Sequence, residues 1–381
     1  MSVFYKKRFA PLLLLACTGA YSCSSSEQAA EETPTSLKEA AEGDFYIGAA
    51  LNYDQVYGRE EEAVALIKEE FNTISPENML KMGPIHPEQN VYNFEPADKY
   101  VAFGEENDMF TIGHTLVWHS QAPDWIFVDK EGNTVGRDTL LQRMEDHIAT
   151  VAGRYKGKID GWDVVNEALE DDGSLRQTKW LEIIGEEYLQ KAFEFAKEAD
   201  PEAELYYNDY SLWKPAKREA AVHLVKNLQE KGIQVDGVGM QGHYGIDYPS
   251  LEDIEASINA FADLGVKVMI TELDVDLLPN PSNRQGADIA MTFEPQEGFN
   301  PYAEGLPDSV QQKLTRRYAD LFELFHKHRD KISRVTFWGV ADKHSWLNDW
   351  PMEGRRSYPL LFDRDYQPKP AYEAVMEAVS E

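Results

Sequence analysis

Eight short runs rich in β-branched and aromatic residues recur along the chain, most of them followed by a longer stretch with apolar residues at three- and four-residue spacing. The runs cover residues 45–52, 73–77, 110–118, 159–167, 204–208, 237–243, 267–274 and 334–341, and the helix-like stretches include 140–154, 187–199, 217–231 and 309–328. Segments of the two kinds in alternation read as strands with crossover helices. Eight such units predict a closed (β/α)8 TIM barrel of the α/β class. Polar side chains gather where the runs end: Glu77 with Asn78, His114 with Trp118, Asn166 with Glu167, Asn208 with Asp209, Gln241 with His243, Glu272 with Asp274, and Trp338 with Asp342. In a barrel the C-terminal ends of the strands form the face that carries the chemistry.

Of 381 residues, 43% are hydrophobic and 12% aromatic, which supplies a large core and excludes a disordered or collagen-like chain. The net charge of −30 repels nucleic acid and anionic membrane surfaces, so no nucleic-acid partner is expected. Lys6, Lys7 and Arg8 precede an apolar run at 9–16, and Cys17 and Cys23 follow, each behind small residues. That pattern predicts an export signal over 1–23, too short to span a bilayer. No cysteine occurs after it, so the remainder has neither thiol chemistry nor a disulfide framework. Leu-Leu-Ala-Cys17 and Ala-Tyr-Ser-Cys23 resemble the lipobox of bacterial lipoproteins, in which the cysteine is acylated. The membrane would then be met only through a lipid anchor at Cys17 or Cys23, at the cell surface or in the periplasm; an ordinary cleaved signal is the alternative. Residues 24–35 read as a flexible tether of roughly 20 Å. One barrel domain is expected over 36–381, opening on the capping-box pattern Ser36-Leu-Lys-Glu39. The irregular stretch 279–307 is expected either beside the active face or as a neutral insertion.

Metal chemistry finds little support. There is no His-Glu-x-x-His, and neither His114 with His119 nor His326 with His328 is spaced to share a face. His119 reads as a satisfied structural histidine. No nucleophile elbow, P-loop or dinucleotide fingerprint occurs, so no metal or other cofactor is expected. Carboxylates remain: Glu167 ends the fourth run in Asp-Val-Val-Asn-Glu and Glu272 the seventh in Val-Met-Ile-Thr-Glu. Two glutamates over one barrel mouth are the minimum equipment of a glycosidase.

Seven motifs, from Ser-Pro-Glu77-Asn78-Met-Leu-Lys81 through Gly-His114-Thr-Leu-Val-Trp118-His119-Ser-Gln121, Trp-Asp-Val-Val-Asn166-Glu167, Tyr-Tyr-Asn208-Asp209-Tyr210, Gly-Met-Gln241-Gly-His243 and Ile-Thr-Glu272-Leu-Asp274 to Phe-Trp338-Gly-Val-Ala-Asp-Lys-His-Ser-Trp346, resemble glycoside hydrolase family 10, the endo-1,4-β-xylanases. One departure is Gly242, where the family usually carries serine. The resemblance implies a retaining double displacement on xylan and xylo-oligosaccharides by a monomer. Glu272 would be the nucleophile and Glu167 the acid/base, which hold opposite protonation states until the sugar esterifies Glu272. His243, oriented by Asp274, would hydrogen-bond Glu272. Asn166 and His114 are implied to hold the sugar at the cleavage point, and Glu77, Asn78, Lys81 and Gln121 the next one, between walls of Trp118, Trp338 and Trp346. Asn208, Tyr210 and Gln241 would lie on or near the leaving-group side. Other readings are a Glu77–Lys81 helical ion pair, a non-catalytic surface glycan-binding protein, and a retaining β-1,4-glucanase of a related barrel.

Overall fold

The computed structural model describes residues 34–280 and 287–380. The expected signal over 1–23 with Cys17 and Cys23, and the tether as far as residue 33, lie outside them. Parallel strands β1 (Tyr46–Leu51), β2 (Thr73–Pro76), β3 (Phe110–Trp118), β4 (Gly161–Asn166), β5 (Glu204–Asp209), β6 (Gly237–Met240), β7 (His243–Gly245), β8 (Lys267–Asp276) and β9 (Ile332–Phe337) follow one another around a closed sheet. β1 pairs with both β2 and β9, which closes the barrel, while β6 and β7 both pair with β8. Nine segments thus fill eight positions.

The sixth position is interrupted where the sequence predicts one run from 237 to 243. Gly242 adopts φ +84°, a conformation costly for any residue with a Cβ, and a Cβ there would lie 2.8 Å from Cγ2 of Ile270. The expected fourth strand, 159–167, is observed over Gly161–Asn166; its upper end falls one residue early because Glu167 has φ +58° and departs from the extended conformation.

Helices cover the outside through faces set by their sequence. In Glu187–Ala199 the buried Tyr188, Leu189, Ala192, Phe193 and Ala196 line one side, and in Asp308–Lys327 so do Leu314, Tyr318, Leu321, Phe322 and Phe325. Thr178 and Ser250 cap the helices Lys179–Ile184 and Leu251–Ala262 by accepting from Leu181 N–H and Asp253 N–H. Inside the barrel, Ile112, Tyr206 and Met269 form a separate apolar cluster, and Arg334 is buried beside Tyr206. These side chains pack the barrel below the strand ends that carry the polar residues.

The predicted capping box at Ser36 is not made. The helix does start at Leu37, but Glu39 accepts instead from the N–H and hydroxyl of Thr35, and Leu37 N–H donates to Glu70 at 2.9 Å. The 279–307 stretch is described at 279–280 and over 287–307, where it forms no helix or strand. Phe293 N–H donates to Pro351 O at 2.8 Å and Tyr358 hydroxyl to Tyr302 O at 2.8 Å, which lays it against the segment after β9.

Candidate active site

Strand ends from around the barrel converge on a cavity of about 150 Å³. Its lining includes Glu77, Asn78, Lys81, His114, Trp118, Gln121, Asn166, Glu167, Gln241, His243, Glu272, Trp338 and Trp346, with Ala287 and Ile289 from the irregular stretch. The last two answer the question about that stretch: it borders the site.

The two glutamates face this cavity from different surroundings. Glu272, at the heart of β8, accepts from Asn208 Nδ2 at 2.8 Å and faces His243 Nε2 at 3.2 Å. The other ring nitrogen of His243 lies 3.0 Å from Asp274 Oδ1. Burial disfavours charge on His243, but Asp274 and then Glu272 outweigh it and raise its pKa to about 10, so the ring is an imidazolium with an N–H for each carboxylate. Burial likewise works against an ionised Glu272, yet hydrogen bonding from His243, the nearby His114 and Asn208 hold its pKa below the ordinary glutamate value. Glu167 is held by neutral donors: Trp118 Nε1 at 2.9 Å on one oxygen, and Gln241 Nε2 at 3.0 Å with Asn166 Nδ2 at 3.2 Å on the other. Asn208 Nδ2 also donates to Asn166 Oδ1 at 2.9 Å, joining the two halves.

Lys81 is buried against the rings of Trp118 and Trp338, its ammonium 5.0 and 6.0 Å from their centroids and 3.1 Å from Asn78 Oδ1. Residues 77–81 are not helical, so the i,i+4 ion pair considered from sequence is not formed. Burial lowers the Lys81 pKa against the pull of Glu272, Glu77 and Glu167, and burial raises that of Glu77. His114 Nδ1 is tied to the buried Asp163 at 2.9 Å, which orients its ring beneath Trp338. Trp346 donates Nε1–H to Asp274 Oδ2 at 2.8 Å, so one carboxylate orients both His243 and an aromatic wall.

Asn208 and Tyr210, expected on or near the leaving-group side, do not line this cavity. Asn208 is fully buried beneath the carboxylates and also accepts from Thr271 at 2.6 Å. Tyr210 is outside the cavity lining; its hydroxyl is held by Arg176 and its ring by Lys217. His119 has a buried Nδ1 with no partner, and burial lowers its pKa to about 4. It is a neutral structural ring, though not a satisfied one. Among the described residues no group of three His, Cys, Asp or Glu could hold a metal ion. Two features escaped the sequence reading. Asp163 lies within a motif that was read only for its ends. Arg176 follows the turn signal Asp-Asp-Gly-Ser, which folds it back onto Glu167.

The family model Glycosyl hydrolase family 10 matches residues 36–378. Endo-1,4-beta-xylanase A of Xylanibacter ruminicola is 48% identical over 91% of this chain and 94% of its own length. The beta-1,4-xylanase of Dictyoglomus thermophilum is 40% identical over 96% and 97%. Among solved structures, an endoxylanase retrieved from a sugarcane soil metagenome superposes with a TM-score of 0.86 at 47% identity, covering 91% of this chain and all of that one.

Proposed function

Because the chain belongs to glycosyl hydrolase family 10, we propose that it cleaves internal β-1,4-xylosidic bonds of xylan by a retaining double displacement in which Glu272 is the nucleophile and Glu167 the acid/base. It is an endo-1,4-β-xylanase. The observation that supports these roles is the difference between the two carboxylates: Glu272 is backed by a cationic His243, Glu167 by neutral amide and indole donors.

In the first step the ionised Glu272 attacks the anomeric carbon while Glu167 gives its proton to the departing glycosidic oxygen. Forming the ester removes the Glu272 charge, and Glu167, now ionised, takes a proton from the water that releases the sugar. Asp274 keeps His243 charged and correctly turned through both steps. His114 and Asn166 hold the sugar being cleaved. Glu77, Asn78, Lys81 and Gln121 hold its neighbour between Trp118, Trp338 and Trp346. Neutral sugars offer hydroxyls and apolar faces, and this mixture of amides, charges and rings matches both.

The enzyme is further proposed to act as a monomer, exported and tethered to a bacterial membrane through acylated Cys17 or Cys23. Support for the anchor comes from the basic, apolar and small-residue pattern over 1–23.

Soluble glucuronoxylan tests the activity. Viscosity should fall well ahead of the release of reducing ends, and proton NMR should show the β-anomer of each new end forming first. No reducing sugar, or an α-anomer first, would refute the reading.

A further inference from the structure

Glu167 occupies a backbone conformation disfavoured for a residue with a Cβ, φ +58°, so its surroundings must hold it there. From the barrel side its N–H donates to Asn208 O at 2.9 Å. From the outer side Arg176 Nε donates to its carbonyl at 3.1 Å. Arg176 returns to this point on a hairpin closed by a bridge between Leu169 and Leu175, with its own N–H on Ala168 O at 2.8 Å. The residue is only 9% exposed. Its Nη2 meets the Tyr210 hydroxyl at 2.5 Å and, more distantly, Leu169 O at 3.4 Å, while Nη1 lies 3.6 Å from Glu170. Beneath Tyr210, the ammonium of the fully buried Lys217 sits 3.7 Å from the ring centroid and 2.8 Å from Asp209.

We infer that Arg176 is a positioning residue for proton donation: its guanidinium locks the left-handed turn that aims the Glu167 carboxyl, and Tyr210, braced by Lys217, sets the plane of that guanidinium. The inference rests on the acid/base reading of Glu167. A planar fork is required because two acceptors on separate segments, the Glu167 carbonyl and the Tyr210 hydroxyl, are engaged at once by Nε and Nη2; a lysine has one nitrogen for both. Arg176 stays charged although buried, since Tyr210, Glu167 and Glu170 outweigh the burial. Displacing the Glu167 carboxyl would impair protonation of the leaving oxygen and leave the attack by Glu272 intact.

Aryl xylobiosides of graded leaving-group acidity separate this role from a general structural one. Arg176→Gln should lower kcat/KM about 30-fold or more for phenyl xylobioside, where general acid help is needed, and less than about threefold for the dinitrophenyl substrate. Arg176→Lys should recover part of the loss on the phenyl substrate. Equal loss on all substrates, or none, overturns the inference. Should Arg176→Gln not fold, Tyr210→Phe removes one acceptor alone and carries the same test: a steeper dependence on leaving group supports the inference, and an unchanged slope overturns it. Glu167→Ala is the reference. If it too shows no leaving-group selectivity, the acid/base reading fails and this inference with it. Selectivity there but not at residue 176 overturns the inference alone.

Discussion

His243 presents Nε2 to the Glu272 carboxylate at 3.2 Å, with no other described cation hydrogen-bonded to that nucleophile. Glu272 is active when ionised, so activity is lost as pH falls through its depressed pKa. His243→Asn removes the charge that favours ionisation, and the acidic limb of kcat/KM should move upward by about one pH unit or more. The stability effect has the opposite pH dependence. His243 has a folded pKa of about 10, above its ordinary 6.5, so its contribution is complete below about pH 6.5 and lost as pH rises through about 10. The gap in melting temperature between wild type and variant should shrink over that window.

The two glutamates separate by substrate. Glu272→Ala should hydrolyse nothing, whereas Glu167→Ala should still be glycosylated by dinitrophenyl xylobioside, whose leaving group needs no proton. Azide should accelerate turnover of the second variant only. The reverse pattern would exchange the two roles.

Xylose differs from glucose by lacking a hydroxymethyl group at C5; Gln121 and Trp346 both line the cavity, and we propose that they fill that space in the subsite next to the cleavage point. Gln121→Ala or Trp346→Phe should lower kcat/KM for an aryl xylobioside and raise that of the matching cellobioside relative to it. Trp346→Phe should lose more, since it also removes the bond to Asp274. A ratio unchanged within about twofold in both variants would move the steric gate elsewhere.

Lys369 is buried with Asp342, 3.0 Å away, and also donates to Tyr358 O at 2.8 Å. Lys369→Met leaves the buried carboxylate without its cation and should cost about 3–5 kcal/mol in urea unfolding. The substrate-facing residues are untouched, so kcat at low temperature should hardly change.

For the anchor, wild type expressed in a lipoprotein-processing host should partition into detergent, and a chain beginning at Ser36 should not, with equal activity on short oligosaccharides. One acyl chain binds only marginally, so stable retention calls for several.

Most of the barrel was legible because the periodicity that makes a strand or a helix is local. Glu167 and Glu272 could be found for the same reason: each ends or occupies a run whose apolar residues set its direction. What escaped depends on contacts between distant segments. Tyr210 follows Asn208 and Asp209 in one motif, yet its hydroxyl is held by Arg176, which arrives on a separate hairpin. Glu39 has the spacing of a cap partner for Ser36, but Thr35 offers it two donors instead. The nitrogen left bare on His119 depends on packing that spacing does not encode.

The break at Gly242 makes one tripeptide serve as a calliper. Gln241 touches the Glu167 carboxyl and His243 the Glu272 carboxyl, so the gap between the jaws is braced by three consecutive residues as well as by Asn208. Whether a two-carboxylate site retains or inverts configuration follows from that gap. A single residue inserted between 241 and 243 should therefore shift one carboxylate against the other, and the configuration of the released sugar would report it.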